Sequence, residues 1–273
     1  MKITILGSSG FIGSHLRQAL TNQGYECAIP ARDAQLTAGQ NLGHVLYCIG
    51  VTADFRTRRF DTVRGHVTVL MDILEHARFD SLLYFSSTRV YSKALHGSEN
   101  LPLSADPNCA EDLYNVSKLM GETLCLSDPR ETVRVVRLSN VYGLDPRGDN
   151  FLTSIIRAAV REHAVDLETS LDSSKDYVSI EDVISVVPRI ATTGRQRLYN
   201  VAAGTNLRHE DLVKALTAQT HCAVNVRTNA KKTCFPRISI ERIQHEFAFA
   251  PRSLLHDMND LVKQYRSHLS DND

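Results

Sequence analysis

Apolar positions along the chain switch repeatedly between a strand pattern and a helical period of three to four residues. Ile3, Ile5 and Leu6 form a short apolar, β-branched run, and Leu16 and Leu20 continue from Ile12 at helical spacing. A strand over the first residues and a helix from Gly10 to Gln23 follow from this, with Gly24 just past the end as a left-handed stop. Glu26 to Pro30 and Val45 to Ile49 read as further strands. Val63, Val67, Leu70, Met71, Leu74 and Ala77 keep a helical period, and Leu82 to Phe85 is the next strand. Helical spacing returns at Val116, Leu119, Met120 and Leu124, strand character at Val133, Val135, Val136 and Leu138, and helical spacing again from Phe151 through Ile155 and Ile156 to Ala159. Strands that are apolar throughout, alternating with amphipathic helices, predict an α/β fold with a doubly wound parallel sheet.

Beyond residue 165 the pattern loosens. A strand is expected at Tyr177 to Ser179, a helix from Ile180 to about Val187, another strand at Leu198 to Val201, and helices near 209–219, 239–247 and 253–268. No repeat, low-complexity stretch or long linker separates these parts. The expected organisation is a nucleotide-binding unit over 1–165 and a small C-terminal lobe over 166–273, part of 177–201 returning to the sheet.

Charge narrows the partners. Lysine plus arginine equals aspartate plus glutamate at 31 each, so no net basic field draws nucleic acid or an anionic membrane. No apolar run has the length of a membrane span, and a first strand starting at residue 2 leaves no room for a signal peptide. The six cysteines (27, 48, 109, 125, 222 and 234) form no C-x-x-C pair and no zinc-finger spacing, and read as reduced thiols of a cytoplasmic protein. The histidines show no metal-ligand spacing on one helix, so no metal is expected.

Candidate chemistry sits at the ends of the expected strands. Gly7, Gly10 and Gly13 follow the first strand at three-residue intervals: the first for a tight turn, the second for close approach of a pyrophosphate, the third for helix-on-strand packing. A glycine-rich turn that merely joins strand to helix is the alternative at this point. Farther on, Tyr114 and Lys118 stand four apart and share one helix face, where an ammonium lowers the pKa of a neighbouring phenol. Ser87, after the strand at Leu82 to Phe85, can hydrogen-bond the carbonyl or alcohol oxygen on which that phenol acts.

With these segments in place, the chain resembles the extended short-chain dehydrogenases/reductases, the NAD(P)-dependent nucleotide-sugar epimerases, dehydratases and ketoreductases. The likeness rests on Gly7, Gly10 and Gly13, on Ser87-x-x-Val90-Tyr91, on Tyr114-x-x-x-Lys118 with Gly121-Glu122, and on Arg137-x-x-Asn140-x-Tyr142-Gly143. It implies a Rossmann fold and catalytic roles for Tyr114 (general acid/base), Ser87 (orienting the substrate oxygen) and Lys118 (ribose binding and tuning of Tyr114). It implies cofactor contacts from Gly7, Ser9, Gly10, Phe11, Ile12, Gly13, Arg32, Tyr114 and Lys118, substrate contacts from Ser87, Asn140 and Lys175, and a homodimer through the helices bearing Met71 and Tyr114.

Departures from the family pattern shape the expected reaction. Dehydratases usually carry an Asp-Glu pair where Thr88 and Arg89 stand, so the acid for water elimination is missing. Lys175 occupies a place usually held by arginine, keeping the charge without bidentate geometry. Relatives that use NAD place an aspartate eighteen residues after Gly13, and here that position is Ala31, followed by Arg32, which can pair with a 2′-phosphate. Residues 31–44 are short, which suggests a trimmed third strand and an open adenine pocket. The basic cluster Arg56, Arg58 and Arg59 could face a phosphate or form a solvated loop. The expectation is an oxidoreductase using NADP (NADPH) rather than NAD to reduce the keto group of a 4-keto nucleotide sugar. The alternatives are an epimerase with retained cofactor and, of another class, a non-catalytic dinucleotide-binding sensor.

Overall fold

The computed structural model describes residues 1–31, 40–52 and 54–270. The chain opens with β1 (Lys2–Leu6), α1 (Phe11–Asn22), β2 (Glu26–Ala28) and β3 (His44–Tyr47). Next come α2 (Arg59–Val63), a π-helical turn over Arg64–Thr68, and α3 (Val69–His76). The helix expected to run unbroken from Val63 to Ala77 therefore starts earlier and widens at its middle. The widened turn is held from outside: the Tyr47 hydroxyl donates to Gly65 O at 2.6 Å and the Tyr84 hydroxyl to His66 O at 3.2 Å.

β4 (Ser81–Ser87) leads through a 3-10 turn at Thr88–Tyr91 to α4 (Asp112–Ser127) and β5 (Val133–Leu138). Strands β2-β1-β3-β4-β5 and a later strand, β9 (Leu198–Val201), form one six-stranded sheet in that order, with every pairing parallel. Among the described residues no strand lies outboard of β2, and residues 32–39, with Arg32 and most of the expected third-strand region, lie outside them.

Strand periodicity divides the core into two layers. Along β4, Leu82 and Tyr84 face a cluster with Leu70, Ile73 and Cys125, whereas Leu83 and Phe85 face one with Leu16, Leu20, Val183 and Val187. Helices cover both faces, as a doubly wound sheet requires. α4 is also tied to the strands by a buried ion pair, in which Arg137 donates to Glu122 while Ser86 Oγ donates to the same carboxylate at 2.5 Å.

The lobe is assembled from β6 (Asn140–Tyr142), α5 (Phe151–Arg161), β7 (Ala164–Thr169) and β8 (Ser174–Ser179). After α6 (Ile180–Thr193) and β9 it continues with β10 (Asn206–Arg208), α7 (His209–Thr220) and β11 (Ala223–Lys231), then α8 (Glu241–Phe247) and α9 (Leu254–Ser270). β10, β8 and β6 make a three-stranded sheet and β11 pairs with β7. α5 precedes residue 165 yet contributes Leu152, Ile155 and Ile156 to the lobe core, packed with Leu212, Met258 and Val262. α6 outruns the expected end near Val187, because burial of Val186, Val187 and Ile190 carries it through Pro188.

Candidate active site

The turn after β1 is shaped by what cannot fit there. Gly7 has φ +83°, and a Cβ on it would stand 2.8 Å from the Cys48 carbonyl carbon. A Cβ on Gly13 would lie 2.3 Å from Gly7 O, so α1 can rest on the turn only without a side chain at that position. At Gly10 the nearest protein atom would be 3.5 Å away, leaving room beside the backbone. No side chain caps α1 at Gly10, and its first turn holds no acidic residue. Gly7, Ser9, Gly10, Phe11, Ile12 and Gly13 thus lie around a helix N-terminus open to an anion. Arg147 reaches across from the lobe side and donates to Ser9 O at 3.2 Å.

β4 and α4 bring the other candidates together. Ser87 ends β4, and its Oγ accepts from Arg89 N at 3.2 Å. Tyr114 and Lys118 are 3% and 5% exposed on α4, which is what buries the chemistry against the sheet. Lys118 Nζ donates to Phe85 O at 2.7 Å and lies 6.0 Å from the Tyr114 ring centroid. Burial lowers the Lys118 pKa to about 7. Burial also raises the Tyr114 phenol above its ordinary value, with hydrogen bonding to Ser87, the charge of Arg89 and hydrogen bonding to Thr52 acting the other way. Lys118 is not among the groups that lower the phenol pKa here. Burial dominates, and the cation acting on the phenol is Arg89.

Three neighbours of Tyr114 escaped the motif reading. His66, on the π-helical turn, meets the Tyr114 ring edge-on at 5.3 Å and shares a 2.8 Å hydrogen bond with Ser117 Oγ. Burial, then Lys118, lowers its pKa to about 2, so it is neutral. Phe55 packs on the same tyrosine at 5.5 Å between centroids. Arg89 lies over both rings, its Cζ 4.8 Å from the Phe55 centroid and 5.5 Å from that of Tyr114. The available signal was Arg89 itself, a cation two residues after Ser87.

The two remaining substrate candidates sit on paired strands of the lobe sheet. Asn140 is opposite Tyr177 in the β6–β8 register and donates from Nδ2 to Asp176 O at 2.8 Å. Lys175 Nζ lies 5.1 Å over the Phe151 ring, and burial, then the like charge of Arg89, lowers its pKa. The charge of Arg89 thus acts on both Tyr114 and Lys175. The basic cluster turns to carboxylates and solvent: Arg56 forks onto Glu111 with two contacts of 2.5 Å, Arg58 pairs with Asp61, and Arg59 lies over exposed Phe60.

Residues 3–202 match the model of the NAD dependent epimerase/dehydratase family. The chain belongs to this family. It is therefore an enzyme of an NAD-dependent epimerase/dehydratase family. Protein CapI from Staphylococcus aureus is 25% identical over 241 residues, covering 70% of this chain and 69% of that protein. Among solved structures, MoeE5 in complex with UDP-glucose and NAD superposes with a TM-score of 0.84 at 20% identity, covering 98% of this chain and all of that one (100%). RMD from Pseudomonas aeruginosa complexed with NADPH gives 0.80 at 21% identity, with coverage of 98% and 99%. The UDP-glucuronic acid 4-epimerase from Bacillus cereus gives 0.79 at 20% identity, with coverage of 98% and 100%. At these identities the likeness carries the fold. The family's dinucleotide suits the residues present here, since Gly10 carries no side chain and the N-terminus of α1 has no side-chain cap, leaving backbone N–H groups for a pyrophosphate.

Proposed function

We propose that this family member is an NADP-dependent oxidoreductase that reduces the keto group of a nucleotide-activated 4-keto sugar. The observation that carries the reading is the convergence of Ser87, Tyr114 and Lys118 at the C-terminal end of β4, one strand removed, across β3, from the β1 strand that leads into the glycine turn. The cofactor supplies a hydride from its nicotinamide when bound. Ser87 holds the substrate carbonyl oxygen, Tyr114 gives that oxygen its hydroxyl proton, and Lys118 holds the nicotinamide ribose. Lys175 meets the diphosphate and Asn140 the sugar. The complexes of MoeE5 with UDP-glucose and of the Bacillus cereus epimerase with UDP-glucuronic acid support a nucleotide-sugar substrate.

Two features favour a reductase that exchanges NADPH at each turnover. β2 is the outermost strand among the described residues, and an open groove lined by Arg17, Gln18, Cys27 and Ile29 runs beside it. Ala31 leaves no carboxylate to repel a 2′-phosphate, and Arg32 is the guanidinium assigned to it. Exposed Met71, Val116 and Met120 on α3 and α4 support a homodimer through these helices, which light scattering tests. Cysteines 27, 48, 109, 125, 222 and 234 are all free, which supports a reducing cytoplasm; no helix among the described residues is long and apolar enough to cross a membrane.

The test is a nicotinamide-absorbance assay with 4-keto nucleotide sugars. NADPH is expected to be oxidised in proportion to product, and calorimetry to show NADPH binding more tightly than NADH. Interconversion of two sugar alcohols with no nicotinamide consumed would establish the epimerase instead, and equal or tighter NADH binding would overturn the NADP assignment.

A further inference from the structure

Arg89 is the residue of this site that the motif reading accounts for least. It is tethered: its Nη2 donates to Glu111 Oε2 at 3.0 Å, and Glu111 is itself forked by Arg56. Two guanidinium groups share one carboxylate, so the cluster keeps a positive charge. That charge rests on aromatic faces, with Arg89 Cζ 4.8 Å from the Phe55 centroid and 5.5 Å from the Tyr114 centroid. A planar cation over a ring face is attracted to its π electrons, and more strongly to a ring that becomes an anion.

We propose that Arg89 is a positioning residue for the acid/base tyrosine, held by Glu111 against Phe55 and Tyr114 so that its guanidinium stabilises the phenolate left when Tyr114 gives up its proton. The inference rests on the reading of Tyr114 as the proton donor. In that step hydride passes from NADPH to the carbonyl carbon, the Tyr114 O–H bond breaks, and its proton joins the new alkoxide. NADP⁺, the alcohol and a phenolate result, and solvent later returns a proton to the phenolate.

The other groups facing Tyr114 cannot replace this cation above neutral pH. Lys118, on the same helix, is aimed at Phe85 O, and its pKa of about 7 means that its charge fades there. His66, from the π-helical turn, is neutral, and Tyr84, from β4, is held protonated by burial. Glu111, at the start of α4, is occupied by Arg56 and Arg89. A guanidinium stays charged throughout the working range of an enzyme. The Arg89 side chain is 32% exposed, so solvent screens part of its effect.

The experiment compares wild type, Arg89→Gln, Arg89→Lys, Glu111→Gln and Tyr114→Phe. Tyrosine labelled with carbon-13 at Cζ is followed by NMR against pH, with and without NADP⁺, over the range in which circular dichroism shows an intact fold. The signal lost in Tyr114→Phe identifies Tyr114. It is expected to move toward tyrosinate at lower pH in wild type than in Arg89→Gln, with Arg89→Lys and Glu111→Gln between them. Coincident curves, flat ones included, would overturn the proposal. No sugar is needed, so inactivity on every nucleotide sugar would count against the functional reading alone. Where turnover is found, Arg89→Gln should lower kcat by about tenfold with little change in KM, the weight of a partly desolvated cation–π contact. A raised KM with unchanged kcat would make Arg89 a substrate contact and overturn the proposal.

Discussion

The two ends of the candidate site are built on different principles. At the Tyr114 end the three catalytic candidates are held by the main sheet: Ser87 closes a seven-residue buried strand, and α4 is fastened by the Arg137–Glu122 pair beneath it. At the Lys175 end the mounts are β8 and the three-residue β6, and the lysine rests on an aromatic ring without a carboxylate among the described residues. A framework fastened by a buried ion pair sets geometry, which chemistry needs. A partly buried cation left unpaired stores a binding preference for an anion, which selectivity needs.

Substitutions at the two ends should therefore fail in different ways. Tyr114→Phe keeps the ring and removes the phenol, so turnover should fall by about two to four orders of magnitude with cofactor binding retained. Steady-state kinetics with calorimetry checks this, and near-normal turnover would take Tyr114 out of the mechanism. Arg137→Met strands the Glu122 carboxylate, which is 3% exposed, and should cost about 3–5 kcal/mol in denaturant unfolding. A loss below about 1 kcal/mol would show that the pair does not fasten α4.

A comparable effect carries a pH signature. The Lys118 pKa is lowered on folding to about 7, against an ordinary value of 10.5. Below pH 7 both states carry the ammonium and the folded protein bears the full cost of burying it. Between pH 7 and about 10 the unfolded chain binds more protons, so that cost fades as pH rises. Lys118→Met should accordingly be about 4 kcal/mol more stabilising at pH 6 than at pH 10, while abolishing turnover. A gain independent of pH would break the assignment. Smallest of all, Lys175→Met should raise KM for the nucleotide sugar about tenfold, the share of one charge-assisted contact, with kcat nearly unchanged. A fall in kcat alone would place Lys175 with the chemistry and erase the contrast between the two ends.

Legibility follows the same divide. The sheet strands and the helices at Phe11–Asn22 and Asp112–Ser127 were readable because burial on one or two faces imposes a period on their residues. β11 leaves most of its residues exposed and β6 and β10 have three residues each, so no period marks them. The strand expected from Glu26 to Pro30 stops at Ala28, and boundaries of this kind are set by pairing with β1 rather than by composition.

What the amino-acid order determined by itself was local: the glycine turn, whose first and last glycines admit no side chain, the four-residue spacing that puts Tyr114 and Lys118 on one face, and the alternation that builds a doubly wound sheet. The tertiary structure alone decided which distant groups meet. It put Arg89, Phe55 and His66 around one phenol, widened the helix at Arg64–Thr68 through two tyrosine hydroxyls, and let burial raise the phenol while it lowered the lysine. A pKa and a cation–ring contact depend on the solvation and distance of groups far apart in sequence, and these exist only once the chain has packed.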